Sequence, residues 1–250
     1  MLDPIRRIGC ICLDANAVVS PLDAIEQAIA GEELTDALIV LPEALDLGDA
    51  YDRNKATQVF RISDLENVAR RCKAAFVAGL SEKSLIPCRR PYNSAFLIDA
   101  GNTKPVCLSR KVNPDNKFAL WYSAASDGDT QCINYRGLNL AALICKDAED
   151  YNVTKEGLCA ALQQRIASCL KNSGRNTAVL AVPARMKCQP NVVAEAWRPE
   201  IPEINVIIAN VGNCGSGAAS GVLLAGREWE PCRSGLCLSE LALPDMPRSS

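Results

Sequence analysis

The sequence predicts an α/β protein, and three observations support that prediction. Short apolar segments with β-strand residue preferences recur along the chain, each bounded by turn residues. Segments of helical periodicity lie between them. The chain has 250 residues, 48% hydrophobic and 22% charged, which is enough for a sizeable core. We therefore expect one α/β domain over residues 1–250.

The predicted elements follow one another without a linker or an internal repeat. β-rich apolar runs predict strands at residues 8–13, 37–41, 74–80, 94–98, 105–109, 138–145, 177–182, 205–209, 220–224 and 235–241. Helical patterns predict helices at residues 21–30, 63–73 and 154–171. The third helix has the clearest ends, because Thr154 can cap its start and Asn172-Ser173-Gly174 follows its last turn. The tail 244–250 is expected to be mobile.

Charge and apolar run length exclude several classes of function. The net charge is −2, and Lys and Arg occur at most as adjacent pairs, so nucleic-acid and anionic-membrane binding have no electrostatic basis. Apolar runs such as 138–145 are far shorter than the roughly 20 residues of a membrane span. The N-terminal MLDPIRRIGC lacks the apolar region of a signal peptide. We expect a cytoplasmic protein without a membrane or nucleic-acid partner.

The chain has thirteen cysteines, no CxxC pair and no histidine. A zinc site is therefore not expected, and most cysteines should be plain core or near-surface thiols. An alternative treats Cys10 and Cys12, which share one face of a strand, as a thiol pair for metal or redox chemistry. Without histidine, Ser-His-Asp and Cys-His catalysis are excluded, and a general base must be a carboxylate, Lys or Tyr.

Three polar residues end or follow apolar strands, where a rigid element can hold a reactive side chain. They are Glu43, Lys111 and Cys145. Each also fits an ordinary structural role when taken singly: a turn acid, a solvated cation and a buried strand-end thiol.

Taken together and in order, these motifs are far more specific. Leu41-Pro42-Glu43, Arg110-Lys111 and Ile144-Cys145-Lys146-Asp147 resemble the pattern of the nitrilase superfamily. The resemblance extends to the segments 76–80 and 92–99, to Val182-Pro183-Ala184, to 207–212 and to 220–224. It covers roughly residues 5–241.

The resemblance implies a four-layer α-β-β-α sandwich and a Glu-Lys-Cys triad. Glu43 would be the general base, Cys145 the nucleophile, and Lys111 with the backbone N–H of Lys146 the oxyanion donors. No cofactor or metal would be needed. Such proteins commonly form homodimers or larger homo-oligomers, and the helix 154–171 is a candidate for the subunit contact.

The implied reaction is hydrolysis of a non-peptide carbon–nitrogen bond through a thioester. Its substrate could be a small amide, an N-carbamoyl compound, an ω-amidated acid or a nitrile. Two alternatives stay open: acyl transfer from the same thioester to an amine, and a catalytically silent binding or scaffold protein of the same fold.

The sequence departs from the family pattern at two points. Lys146 stands where an aromatic residue usually follows the cysteine, and no glutamate occurs between Val112 and Ile144 to serve as the family's second Glu. The carboxylates available in that segment are Asp115, Asp127 and Asp129. After the cysteine, Asp147, Glu149 and Asp150 could favour a cationic substrate, but the expectation is that they form a solvated acidic loop. Specificity is expected to depend on the loops 48–59 and 113–128.

Overall fold

Two β-sheets pack face to face, and helices cover the outer face of each sheet. The computed structural model describes residues 3–14, 20–47, 59–82, 91–101, 104–112, 122–125, 129–149, 158–172, 174, 176–186, 189–212 and 220–242. This arrangement confirms the predicted four-layer α-β-β-α sandwich.

In chain order, the elements are β1 (Arg7–Asp14), α1 (Pro21–Ile29), β2 (Ala37–Val40), α2 (Ile62–Cys72), β3 (Ala75–Glu82), β4 (Tyr92–Asp99), β5 (Val106–Arg110), β6 (Ile133–Tyr135), β7 (Leu138–Ala142), a 3-10 turn (Cys145–Asp147), α3 (Leu158–Lys171), β8 (Thr177–Pro183), α4 (Pro190–Glu195), β9 (Asn205–Ala209), β10 (Val211–Gly212), β11 (Ser220–Leu223), β12 (Trp229–Cys232) and β13 (Gly235–Glu240).

The first sheet has the strand order β10-β1-β2-β3-β4-β5, with β13 also pairing with β1. Strands β1, β2 and β3 are parallel, and β3, β4 and β5 form an antiparallel meander. Strand β5 therefore runs in the same direction as β2, and β4 runs in the opposite direction. As a result, the ends of β2 and β5 and the start of β4 all lie at one edge of the sheet.

The second sheet has the order β12-β11-β9-β8-β7-β6. Its central strands β7, β8 and β9 are parallel, and antiparallel strands flank them on both sides. The carboxyl ends of β7 and β8 lie side by side, which is the place where α/β sheets commonly hold ligands.

Burial of both faces explains why the central strands are apolar throughout. In β2, Leu38 and Val40 face the core between the sheets, whereas Ile39 faces the core beneath α1 and α2. Helices α3 and α4 cover the outer face of the second sheet through residues such as Leu162 and Val193. A strand buried on both faces has no polar alternation, so its sequence is one continuous apolar run.

The first two helices begin where local hydrogen bonds satisfy free backbone N–H groups. The Ser20 side chain accepts a bond from the Asp23 N–H at 3.2 Å, before Pro21 opens α1. In α2, the Asp64 carboxylate accepts a bond from the Arg61 N–H at 2.7 Å, and Lys73 closes the helix in the left-handed conformation.

Four short elements were not predicted from the sequence: β6, β10, β12 and α4. With two to six residues each, they are too short to establish a periodicity. Of the predicted helix 154–171, the structure describes Leu158–Lys171, so the cap at Thr154 lies outside the described residues, as does the tail 244–250. Cys232 and Cys237 form a disulfide, which we did not predict. Within the described ranges, no helix is long and apolar enough to cross a membrane.

Candidate active site

Glu43 and Lys111 meet at the edge where β2 and β5 end. Lys111 Nζ donates a hydrogen bond to Glu43 Oε1 at 2.5 Å. The two side chains are 0% and 1% exposed, so the ion pair is completely buried. The sequence placed both residues after apolar strands, and the parallel direction of β2 and β5 brings them into contact.

Burial and neighbouring charges have opposite effects on the pKa of Lys111. Burial is the largest single effect and lowers the pKa of the ammonium group, but the charge of Glu43 and three smaller effects together raise the pKa above the ordinary lysine value. The charge of Cys145, the hydrogen bond from Lys111 to Glu43 and the charge of Asp147 also raise the pKa of Lys111. Lys111 is therefore a fixed cation at the pH of the cell.

Asn93 supplies a second donor to the same carboxylate oxygen. Its Nδ2 donates to Glu43 Oε1 at 2.6 Å, and Asn93 is fully buried near the start of β4. The other oxygen, Glu43 Oε2, is buried and has no hydrogen-bond partner among the described residues. A charged carboxylate with one oxygen held by two donors thus keeps its second oxygen open for a proton.

Cys145 opens the 3-10 turn that follows β7. Its backbone adopts a φ of 48°, in the left-handed region that is uncommon for residues other than glycine. The Cys145 carbonyl accepts a bond from the Ala148 N–H at 2.9 Å, which closes the turn. The predicted strand 138–145 therefore ends at Ala142, and Cys145 leaves the sheet in a strained backbone conformation of the kind that clusters at functional sites.

The thiol of Cys145 lies in the electric field of both predicted partners. Burial raises the pKa of this thiol well above its ordinary value, and the charge of Glu43 raises it further. The charge of Lys111 and a hydrogen bond from the Arg185 backbone act against this rise. The side chain is only 8% exposed. The free protein therefore holds a neutral thiol beside a carboxylate, rather than a preformed thiolate.

Two hydrogen bonds join the sheets at this edge. The Glu43 N–H donates to the carbonyl of Ala184, just after β8, at 3.2 Å. The Val112 N–H donates to Asp147 Oδ2 at 2.7 Å. Each bond links the segment after a strand of the first sheet to the segment after a strand of the second. The positions of Glu43 and Lys111 relative to Cys145 are thus set by the packing of the two sheets.

Comparisons with known proteins match this architecture but not the sequence. No protein-family model matches the chain, and no curated protein matches it. A C145A variant of the Nesterenkonia AN1 amidase, described as being from the nitrilase superfamily, aligns with a TM-score of 0.66 and 18% identity, over 95% of this chain and 91% of that chain. The chain has the nitrilase fold.

Two further structures of the amidase from Nesterenkonia sp. AN1 show the same likeness. One, a variant in complex with butyramide, has a TM-score of 0.67 at 18% identity and covers 95% of this chain and 91% of that chain. The other carries the acetamide moiety of fluoroacetamide covalently on its active-site cysteine, with a TM-score of 0.64, 18% identity and coverages of 95% and 90%.

The expectation that Asp147 lies in a solvated acidic loop was wrong. Its side chain is buried, bonds to the Val112 N–H, and adds to the charges that raise the pKa of Lys111. Gln163 of α3 fixes the same segment by donating to the carbonyls of Asp147 and Glu149 at 2.8 Å. The signal for this role was the spacing of Asp147 two residues after Cys145.

Three aspartates could take the place of the second glutamate that many nitrilase-superfamily members use, and the structure describes one of them, Asp129. Asp129 lies 3.3 Å from Arg110 Nη1, in a half-exposed cluster where Arg110 also binds Glu82. Asp115 and Asp127 lie outside the described residues, as does most of the predicted specificity loops.

A buried tyrosine also borders the site of this nitrilase fold. Tyr122 packs against Ala44, and its hydroxyl lies 2.9 Å from Ser81 Oγ. Burial raises the pKa of Tyr122, the hydrogen bond with Ser81 opposes that rise, and the charges of Asp46 and Glu43 add to it. Nothing in the sequence pattern singled out this residue.

The described residues contain no group of three or more metal-ligating side chains placed to hold an ion. Cys10 and Cys12 do share one face of β1, as predicted, but both are buried in the core between the sheets. The Cys12 thiol lies 3.3 Å from the carbonyl of Arg233, and burial raises the pKa of Cys10. This placement fits core thiols better than a reactive pair.

Proposed function

We propose that this protein hydrolyses a non-peptide carbon–nitrogen bond with Cys145 as nucleophile. The observation that supports this most strongly is the open oxygen of Glu43. Oε1 is held by Lys111 and Asn93, Oε2 is left without a partner among the described residues, and a neutral thiol lies in the field of the same carboxylate. A carboxylate, a cation and a thiol in one buried site are the groups that the proposed base, oxyanion donor and nucleophile require.

In the first half-reaction, Glu43 Oε2 takes the thiol proton as Cys145 Sγ attacks the carbon of the amide. The tetrahedral intermediate collapses when the carbon–nitrogen bond breaks. The proton held by Glu43 passes to the leaving nitrogen, and ammonia or an amine departs. Cys145 is left as a thioester.

In the second half-reaction, water gives a proton to Glu43 and attacks the thioester carbon. The sulfur–carbon bond breaks, the carboxylic acid leaves, and Cys145 recovers its proton from Glu43. The carboxylate alternates between base and acid, so the cycle needs neither a cofactor nor histidine.

Negative charge develops on the substrate oxygen in both steps. Lys111 Nζ and the backbone N–H of Lys146 are the proposed donors to that oxyanion, each contributing roughly 3 to 4 kcal/mol to transition-state stabilisation. Lys111 suits this role because it is buried and permanently charged. The Lys146 side chain is exposed, so only its backbone is assigned a role.

For the substrate we propose a small aliphatic amide. The support is the complex of the Nesterenkonia amidase variant with butyramide, a protein with the same fold. The other substrate classes to be tested are N-carbamoyl compounds, ω-amidated acids and nitriles. We also propose a homodimer or larger homo-oligomer acting in the cytoplasm. Among the described residues, seven free cysteines outnumber the two cysteines of the Cys232–Cys237 disulfide, which supports a reducing compartment.

Ammonia release by the purified protein tests this function. The panel contains small amides such as butyramide and acetamide, ureido acids and nitriles. Cys145→Ala and Cys145→Ser are assayed in parallel, and Cys72→Ala serves as the matched control. Cys72 is a half-buried thiol at the end of α2, bonded to the Val68 carbonyl at 3.1 Å, and has no part in the site.

We expect release in the wild type and in Cys72→Ala, and a loss of at least about 10³-fold in both Cys145 variants. Retained activity in Cys145→Ala would overturn the assignment of the nucleophile. No release from any compound by folded protein would overturn the hydrolase. In that case, product analysis with added amines would test acyl transfer next.

A further inference from the structure

We propose that Asn93 is a positioning residue that determines which oxygen of Glu43 receives the thiol proton. This inference rests on the proposed function, because it concerns the base of that reaction. It adds to the triad a residue that neither acts on the substrate nor carries a charge.

The position of the Asn93 amide makes the two oxygens of Glu43 unequal. Asn93 Nδ2 and Lys111 Nζ both donate to Oε1, at 2.6 and 2.5 Å. Lys111 alone could bind either oxygen, since an ammonium group is a compact charge on a flexible stem. A second donor on a rigid strand removes that freedom. Oε2 has no hydrogen-bond partner in the part of the chain that the structure describes, so its lone pairs are left for the proton.

The backbone of Asn93 holds the other member of the ion pair. Its carbonyl accepts a hydrogen bond from the Lys111 N–H at 2.8 Å. One residue thus contacts Glu43 through its side chain and Lys111 through its main chain. Strand β4 lies between β3 and β5, so both contacts are anchored in the interior of the first sheet.

The burial of Asn93 indicates that its amide is not kept for stability alone. Asn93 is 0% exposed, and its Oδ1 has no hydrogen-bond partner among the described residues. An unmade hydrogen bond of a buried polar group costs about 1 to 3 kcal/mol. An apolar residue would avoid that cost at this place in the strand, whereas only a side chain with an N–H or O–H donor can bind Oε1.

The experiment compares Asn93→Ala and Asn93→Asp with the control Asn139→Ala. Asn93→Asp keeps the shape but replaces the donor by a carboxylate. Asn139 is likewise a buried strand asparagine with a donated side-chain bond, to the Cys169 carbonyl at 2.9 Å, but it lies on β7 away from Glu43. The readouts are kcat and KM against pH, and the rate of Cys145 alkylation by iodoacetamide, followed by peptide mass spectrometry.

Misplacing a base should reduce kcat far more than substrate binding. We expect kcat to fall about 10- to 100-fold in both Asn93 variants, while KM changes less than about threefold. Alkylation of Cys145 near neutral pH should slow in parallel. In Asn93→Asp, activity should recover relative to Asn93→Ala as the pH is lowered, because the protonated carboxylic acid can donate to Glu43. Asn139→Ala should keep the wild-type kcat and KM.

Failure of this inference is distinguishable from failure of the proposed function. Wild-type turnover together with unchanged kcat in both Asn93 variants would overturn the role of Asn93 and leave the hydrolase standing. If the wild type released no ammonia, a slower alkylation of Cys145 in Asn93→Ala but not in Asn139→Ala would still support the positioning role. Equal alkylation rates in the wild type, Asn93→Ala and Asn139→Ala would then overturn the positioning role of Asn93.

Discussion

Gly79 lies against the backbone of Glu43. A Cβ atom placed on Gly79 would stand 3.0 Å from the Cα of Glu43 and 3.2 Å from the Cβ of Pro183. Gly79 belongs to β3 of the first sheet, whereas Pro183 ends β8 of the second. The absence of a side chain at this position therefore lets the two sheets and the proposed base approach one another.

Gly79→Ala should impair activity more than stability. The added methyl group pushes the Glu43 backbone by a few tenths of an ångström, and misplacement of a catalytic group on this scale lowers kcat/KM by roughly tenfold or more. The matched control is Gly221→Ala, whose Cβ would clash with the Trp229 ring of the neighbouring strand. That variant should have a lower melting temperature, but its folded molecules should keep the wild-type kcat/KM. Equal kcat/KM in wild type and Gly79→Ala would contradict this prediction.

The buried Glu43–Lys111 pair should show strong coupling in a double-mutant cycle. Glu43→Gln leaves the ammonium of Lys111 unbalanced, and Lys111→Met leaves the carboxylate of Glu43 unbalanced. Each change should cost roughly 3 to 5 kcal/mol of unfolding free energy. The double variant should cost clearly less than their sum, because it removes both charges.

Activity should behave differently from stability in the same cycle. Loss of the base alone should lower kcat by about 10² to 10⁴-fold, and the double variant should recover none of it. Urea unfolding and ammonia release on the four proteins provide both measurements. Additive stability losses would show that the two side chains do not act as a pair.

Asp147 should be needed for stability as well as for the site. Asp147→Ala leaves the buried Val112 N–H without its acceptor, at a cost of about 1 to 3 kcal/mol. The melting temperature should fall by roughly 3 to 10 °C. Asp147→Asn keeps an oxygen acceptor, so its melting temperature should stay closer to that of the wild type. Activity should still fall in this variant, because the charge that acts on Lys111 is lost. If both variants melted like the wild type, the link from Asp147 to Val112 would not matter for stability.

Stability should decrease in alkaline solution. Burial, followed by the charge of Glu82, raises the pKa of Cys107 from its ordinary value of 9.0 to about 11, and burial also raises the pKa of Cys10, Cys132 and Cys145. Above pH 9 the unfolded chain releases these protons while the folded chain retains them. Raising the pH therefore favours unfolding, and this contribution to stability is lost progressively as the pH rises from 9 towards 11.

Thermal unfolding at several pH values checks this expectation. The melting temperature should fall by roughly 5 °C or more between about pH 8 and pH 10.5. Cys107→Ala should show a smaller fall, because one of the titrating thiols is gone. A melting temperature that does not change over this range would contradict the assignment of neutral buried thiols.

Much of the fold could be predicted from local pattern. The strands β2, β8 and β9 are apolar runs because both of their faces are buried, so the sequence alone located them within one or two residues. The short elements β6, β10, β12 and α4 could not be found this way. With two to six residues each, these elements are too short to show a periodicity, and β10 pairs with β1, which lies near the other end of the chain.

The residues of the candidate site likewise include some that the sequence predicted and some that it did not. Strand-end position and motif order predicted Glu43, Lys111 and Cys145 as candidate site residues without a structure. Asp147 was expected to be a solvated acid and Asn93 had no predicted role, because the burial of a polar side chain is invisible until its neighbours are known.

The sequence by itself determined the order of the longer strands and helices, the exclusion of histidine-based catalysis and the three candidate residues at strand ends. Only the tertiary structure decided that Lys111 and Asn93 bind the same oxygen of Glu43, that Gly79 makes room for that residue, and that Cys145 leaves its strand in a left-handed conformation. The physical reason is range: periodicity and composition act over a few neighbouring residues, whereas these contacts join residues dozens of positions apart through the pairing of strands and the packing of two sheets.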